Sequence, residues 1–94
     1  MPSIELWPMA REYLYSIPPK HARQIMMAVI ELSANPLPHD RALIQGIEEE
    51  CWRIKSGDYR IIYRFLVDIN HVEIMGIGPR NDDEVYKQFM RKQR

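Results

Sequence analysis

Residues 52–64, WRIKSGDYRIIYR, carry four cations at spacings that an extended chain turns into a pattern. Successive strand side chains point to opposite faces. Arg53 and Lys55 therefore share one side and Trp52 and Ile54 the other, while Arg60, Ile62 and Arg64 oppose Tyr59, Ile61, Tyr63 and Phe65. If the two strands pair so that the apolar sets coincide, the four cations share the uncovered face, with only Asp58 near enough in sequence to offset them. Like charges opposed across strands repel unless an anion lies among them, which points to an anion-binding surface. A wet sheet face with cations for solubility and edge protection explains the same alternation. Arg80, after Gly78-Pro79, and Tyr86 in Glu84-Val85-Tyr86-Lys87 tip the reading toward RNA. Bases stack on a tyrosine while arginine and lysine hold phosphates.

The elements that must position these groups follow from period and punctuation. Residues 3–7 alternate polar and apolar and stop at Pro8, which predicts a short strand. Pro8 suits the first turn of a helix over 9–16, and Pro19 opens a second helix. In that helix Ala22, Ile25, Met26, Val29, Ile30 and Leu32 approximate a core-facing stripe, with Met26 and Met27 read as core filler. Asn35-Pro36 ends it, and the two helices form a hairpin. Residues 37–50 read as loop, with an acidic run at Glu48-Glu49-Glu50 that is either solvated surface or a dock for a basic segment. Strands follow over 51–55, 59–67 and 71–77, joined by short turns and hence antiparallel. Asp82-Asp83-Glu84 starts a C-terminal helix reaching residue 92. The expected fold is one α+β domain over residues 1–94, order β-α-α-β-β-β-α, with an antiparallel sheet of about four strands packed on the N-terminal helix hairpin.

Composition bounds the function classes. With 94 residues, 46% hydrophobic and 28% charged, the chain is of ordinary globular make-up, and its longest apolar run, residues 25–30, is too short to span a bilayer. The N-terminus lacks the basic and apolar regions of a secretion signal, so a soluble cytoplasmic protein is expected, with no membrane partner. Thirteen basic and thirteen acidic residues cancel, but unevenly: residues 1–50 hold four basic and seven acidic, residues 51–94 nine basic and six acidic. One face meeting a polyanion produces such asymmetry. Cys51 stands alone and reads as a small, half-buried strand residue without a histidine at catalytic spacing. His21, His39 and His71 are scattered, are expected to be structural or exposed, and form no metal cluster among themselves. No cofactor is expected.

The hairpin WRIKSGDYRIIY together with Gly78-Pro79-Arg80, Glu84-Val85-Tyr86 and the proline-led helix pair ending in Ala34-Asn35-Pro36 resembles the RelE/ParE toxin superfamily, and in Arg80 and Tyr86 its RelE-type branch. The resemblance spans nearly the whole chain. It implies a RelE-like fold and the toxin of a type II toxin-antitoxin pair. Such toxins are implied to be metal-independent endoribonucleases that cut mRNA in the ribosomal A site and inhibit translation. Implied partners are a cognate antitoxin, the ribosome and mRNA, and operator DNA reached through the antitoxin.

By that resemblance Lys55, Arg60, Arg80 and Tyr86 are the catalytic set, and Arg53, Arg64 and Lys87 bind RNA. The chemistry requires a base for the ribose 2′-OH, cations for charge growing on the phosphorus oxygens, and an acid for the leaving 5′ oxygen. Surrounding cations disfavour a charged lysine, which makes Lys55 the candidate base. Arg60 and Arg80 grip phosphate as permanently charged forks, and Tyr86 orients the nucleophile, stacks on a base, or simply packs its helix. The chain departs from relatives with a histidine near the C-terminus and from their strongly basic charge. Two alternatives share the fold: a ParE-like DNA gyrase inhibitor without nuclease activity, and a degenerate, non-toxic binding module.

Overall fold

The computed structural model describes residues 2–44 and 50–80. The elements are β1 (Ser3–Leu6), α1 (Pro8–Ser16), α2 (Pro19–Ala34), β2 (Ala42–Leu43), β3 (Trp52–Ser56), β4 (Tyr59–Leu66), a 3₁₀ turn (Val67–Ile69) and β5 (His71–Pro79). They form one sheet in the order β1-β5-β4-β3-β2. The α+β class and the helix hairpin on the sheet are as expected, and β3, β4 and β5 are antiparallel neighbours. Two features differ from a four-stranded antiparallel sheet. β1 lies parallel to β5, a pairing that strands far apart in sequence can make once helices intervene. Residues 42–43 add a fifth strand inside the stretch read as loop, too short to carry a visible period. The C-terminal helix and the acidic residues Glu48 and Glu49 lie outside the described residues.

Both helices start on proline. The Trp7 carbonyl accepts the first bond of α1 from the Arg11 N–H at 3.0 Å, and the Pro18 carbonyl accepts from His21 and Ala22 at 2.9 and 3.0 Å. Proline at the first helical position loses no bond, because that N–H would have no intrahelical acceptor. From α2, Ile25, Val29 and Leu32 are buried against the sheet. At 100° per residue Ile30 lies about 140° and Met27 about 200° round from Ile25. Both are therefore exposed, at 56% and 65%, which corrects their assignment to the core.

The core sits between the helices and one sheet face. Ala10, Ile25, Val29 and Leu32 meet Ile54, Ile61, Tyr63, Val72, Ile74 and Ile77. The register of β3 with β4 sets Trp52 opposite Tyr63 and Ile54 opposite Ile61, so the apolar sets do coincide. A two-residue turn fixes that register: Gly57 has φ of +59°, and Asp58 does not share the positive φ. This is the II′ pattern, whose twist matches the strands it joins. A Cβ on Gly57 would also lie 2.8 Å from Gln24 Nε2 of α2.

β5 carries a bulge. Ile62 pairs with Gly76 while Tyr63 pairs with Ile74, leaving Met75 as an extra residue. Strict alternation back from Ile77, which faces the helices, would turn Glu73 and His71 into the core and Val72 and Ile74 out of it. The extra residue reverses this, so Val72 and Ile74 join the core and Glu73 lies beside Arg64. On the face away from the helices Trp7, Cys51, Ile62 and Met75 form a second buried cluster, with Met9 and Ile44 packed against it.

Tyr63 is fully buried, and its hydroxyl donates to the Pro36 carbonyl at 2.9 Å. Burial, opposed by Arg41 and aided by Asp40, pushes the phenol from 10.0 to about 12. The folded state thus holds this proton more tightly than the unfolded chain. Its contribution is complete below pH 10 and is lost as pH rises through 12, a swing on the order of 3 kcal/mol. Denaturant unfolding should show the stability gap between the wild type and Tyr63→Phe narrowing from pH 10 to 12; a gap independent of pH would refute this. Gly57→Ala forces an L-residue into left-handed backbone at about 1–2 kcal/mol. Its thermal midpoint should fall by roughly 5–15 °C, and an unchanged midpoint would count against the turn assignment.

Candidate nucleic-acid interface

Lys55 and Arg60 stand directly opposite each other on β3 and β4, and Arg60 also faces Gly78 on β5. Gly78 has no side chain, so the Arg60 side chain has no cross-strand neighbour of bulk on that side. Arg80 follows two residues later, and its N–H donates to the Asp58 carbonyl at 2.7 Å. That bond ties the end of β5 to the turn of the β3–β4 hairpin. Lys55, Arg60 and Arg80 consequently belong to one rim of the sheet, with Lys55 and Arg80 exposed and Arg60 half-buried. Among the described residues Lys55 and Arg80 form no ion pair. The half-buried Arg53 lies one step inward, between Ala42 and Ile62.

The even row of four cations is corrected in three respects. Between Arg60 and Arg64 the strand carries Ile62, which is fully buried in the apolar cluster with Trp7, Cys51 and Met75. Arg64 belongs to a different environment. Its Nε donates to Glu73 Oε1 at 2.6 Å, the indole Nε1 of Trp7 donates to the same oxygen at 3.3 Å, and the guanidinium lies 5.8 Å from the Trp7 ring centre. Glu73 was hidden from sequence reasoning because only the Met75 bulge turns it to this side. Nor is Asp58 the sole nearby acid: Glu31 and Asp40 share with Lys55, Asn35 and Ile54 the walls of a groove of about 180 Å³ on the helix side. Cys51 is fully buried, deeper than its strand-end position implies. Tyr86 and Lys87 lie outside the described residues.

The rim is braced from the helices. His21 Nδ1 and the Tyr59 hydroxyl share a hydrogen bond of 2.7 Å, and the Tyr13 ring meets Tyr59 edge-on at 6.2 Å. Tyr59 is the first residue after the turn, so α1 and α2 both hold the hairpin tip that carries Lys55 and Arg60. Arg41, which sequence reasoning passed over, stacks 5.0 Å above Trp52 and donates to the Leu37 and Pro38 carbonyls at 3.3 and 3.0 Å. Its cation belongs to that loop and not to the rim. His71 keeps company that its isolation in sequence did not predict: Glu5 and Glu73 approach its Nε2, while Ser3 Oγ lies 2.6 Å from Nδ1.

A basic rim on a twisted sheet, with arginines able to grip phosphate and a lysine beside them, can bind and polarise a phosphodiester. Comparison with known proteins gives the lineage. No curated protein matches the chain in sequence. An archaeal RelE-RelB complex from Pyrococcus horikoshii OT3 superposes with a TM-score of 0.73 at 24% identity, covering 85% of this chain and 96% of that one. The isolated E. coli RelE toxin gives 0.73 at 17% identity over 97% of both chains. The RelBE2 toxin-antitoxin complex of Mycobacterium tuberculosis gives 0.62 at 23%, covering 85% and 92%. These likenesses are of fold. The model of the family described as "ParE toxin of type II toxin-antitoxin system, parDE" matches residues 6–84. With a match over most of its length and a RelE-like fold, the chain belongs to the ParE toxin family of type II toxin-antitoxin systems, within the RelE/ParE superfamily.

Proposed function

We propose that this toxin is a ribosome-dependent mRNA endoribonuclease that cleaves in the A site without a metal. The observation that supports it is the convergence of Lys55, Arg60 and Arg80 on one rim, through the β3–β4 register and the bond from Arg80 to the Asp58 carbonyl. In this reading the Lys55 amine takes the proton of the ribose 2′-OH. The 2′ oxygen attacks phosphorus, the bond to the 5′ oxygen breaks, and that oxygen takes a proton from solvent, to which Lys55 later returns its own, giving a 2′,3′-cyclic phosphate and a 5′-hydroxyl. Arg60 and Arg80 hold the phosphorus oxygens as charge builds on them. Tyr86 orients the nucleophile or stacks on a base, and Arg53 and Lys87 guide the strand. Arg64 is reassigned from RNA binding to holding Glu73.

The toxin acts in the cytoplasm and is neutralised by a cognate antitoxin, through which the pair reaches operator DNA. Structural neighbours crystallised with antitoxins support that partner. Exposed apolar side chains on the helices, Tyr15, Met27 and Ile30, offer it contact area. A second reading has its own support in the family model, that of ParE. A gyrase inhibitor of this fold would perform no hydrolysis and would have no need of a paired lysine and arginines.

Expression without antitoxin, with mRNA ends mapped on translating ribosomes, separates the readings. Codon-positioned cuts are expected, falling by about 100-fold or more in Arg60→Ala or Arg80→Ala. Growth arrest with intact mRNA and lost gyrase supercoiling would overturn the nuclease reading in favour of the inhibitor, and unimpaired growth would leave a non-toxic module. Stability gives a further check. Arg64→Ala removes the guanidinium that neutralises a buried carboxylate and should cost about 3 kcal/mol. Lys55→Ala, at an exposed position, should stay within about 0.5 kcal/mol of the wild type. Equal losses in the two variants would contradict the division between a working rim and a structural pair.

A further inference from the structure

The far end of β5 carries a second grouping of polar side chains. In the parallel pairing of β1 with β5, Ser3 stands beside His71 and Glu5 beside Glu73. Each strand thus contributes alternate residues to one sheet face. His71 Nε2 lies 3.4 Å from Glu5 Oε1 and 3.7 Å from Glu73 Oε2. A donor atom from each of the three residues lies within 4.8 Å of the other two.

We propose that Glu5, His71 and Glu73 form a binding site for a divalent transition-metal ion, zinc above all. Zinc takes histidine nitrogen and carboxylate oxygen at about 2.0–2.2 Å in tetrahedral geometry, which sets its ligands about 3.3–3.6 Å apart. The two edges from His71 fall at or close to that spacing, so closing the site requires mainly a small rotation of the half-exposed Glu5 carboxylate. One imidazole and two carboxylates suit zinc better than calcium or magnesium, which prefer oxygen alone.

The ligands are also held from behind. Ser3 Oγ, 2.6 Å from Nδ1, fixes the imidazole with Nε2 toward the carboxylates. Arg64 Nε and Trp7 Nε1 hold Glu73 through Oε1, with Oε2 lying 3.7 Å from His71 Nε2. Supports of this kind orient metal ligands and typically change affinity 10- to 100-fold. Three ligands leave a fourth position for water. Glu73, the ligand nearest along the strand, precedes Gly78, the partner of Arg60, by five residues, which at about 3.3 Å per residue puts the site roughly 15 Å from the basic rim. The ion therefore clamps edge strand β1 to β5 and takes no part in phosphate chemistry.

The chelator-treated full-length chain, titrated with Zn²⁺ against a chromophoric competitor, should bind one ion and gain thermal stability as zinc is added. His71→Ala and Glu5→Gln should each weaken binding at least tenfold, Ser3→Ala by about tenfold, and His21→Ala and His39→Ala not at all. His71→Gln, closer in size, replaces His71→Ala if that variant does not fold. Co²⁺ should give visible bands of four-coordination without a thiolate charge-transfer band. Absence of binding below about 100 μM, binding that survives loss of His71, or a thiolate band placing the metal on Cys51 would overturn the assignment.

Discussion

One extra residue in an interior strand governs how this sequence uses its two sheet faces. β5 runs between β1 and β4 and is buried from Val72 to Gly78. Its sequence alternates the wrong way at one end: the spacing that puts Ile77 in the helix-facing core would put Glu73 there too. Burying that carboxylate among Ile25, Val29 and Leu32 would cost several kcal/mol. The Met75 bulge absorbs the mismatch, giving Val72 and Ile74 to the main core and Met75 itself to the cluster on the other face.

The bulge also decides where the cations can act. With Glu73 turned outward, Arg64 acquires a buried carboxylate at 2.6 Å and becomes part of the scaffold. Ile62, between it and Arg60, anchors the apolar cluster and separates the two arginines. What remains toward the hairpin tip is a compact basic group whose backbone is pinned by the turn at Gly57 and by the bond from Arg80 to Asp58. An anionic strand there would meet cations whose spacing is set by the sheet ladder, with little reorganisation required when it docks.

Much of this was legible in the residues themselves. Proline at positions 8 and 19, the Gly57 turn and the period-two runs on either side of it define helices, hairpin and register, and the register brings Lys55 to Arg60 as alternation requires. What escaped was whatever depends on partners remote in sequence. The parallel docking of β1, the Arg64–Glu73 pair and the donors around His71 all join residues through β5, where the bulge breaks the period that sequence reading relies on. Met27 and Ile30 were misplaced because hydrophobicity marks a candidate for the core, whereas position around the helix decides which candidates reach it.

The parallel pairing of β1 with β5 has a bearing on the life of the newly made chain. Ser3 and His71 are separated by 68 positions, yet their side chains meet. β1 therefore has no strand to join until most of the polypeptide has been synthesised, and the hairpin can form before it. Of the pairings in the sheet, this one closes the longest stretch of chain and so carries the largest loop-closure entropy. Arg80 reaches the hairpin turn only through that same late strand, so a chain interrupted before β5 would display the hairpin cations on an unsealed sheet edge and lack the complete rim.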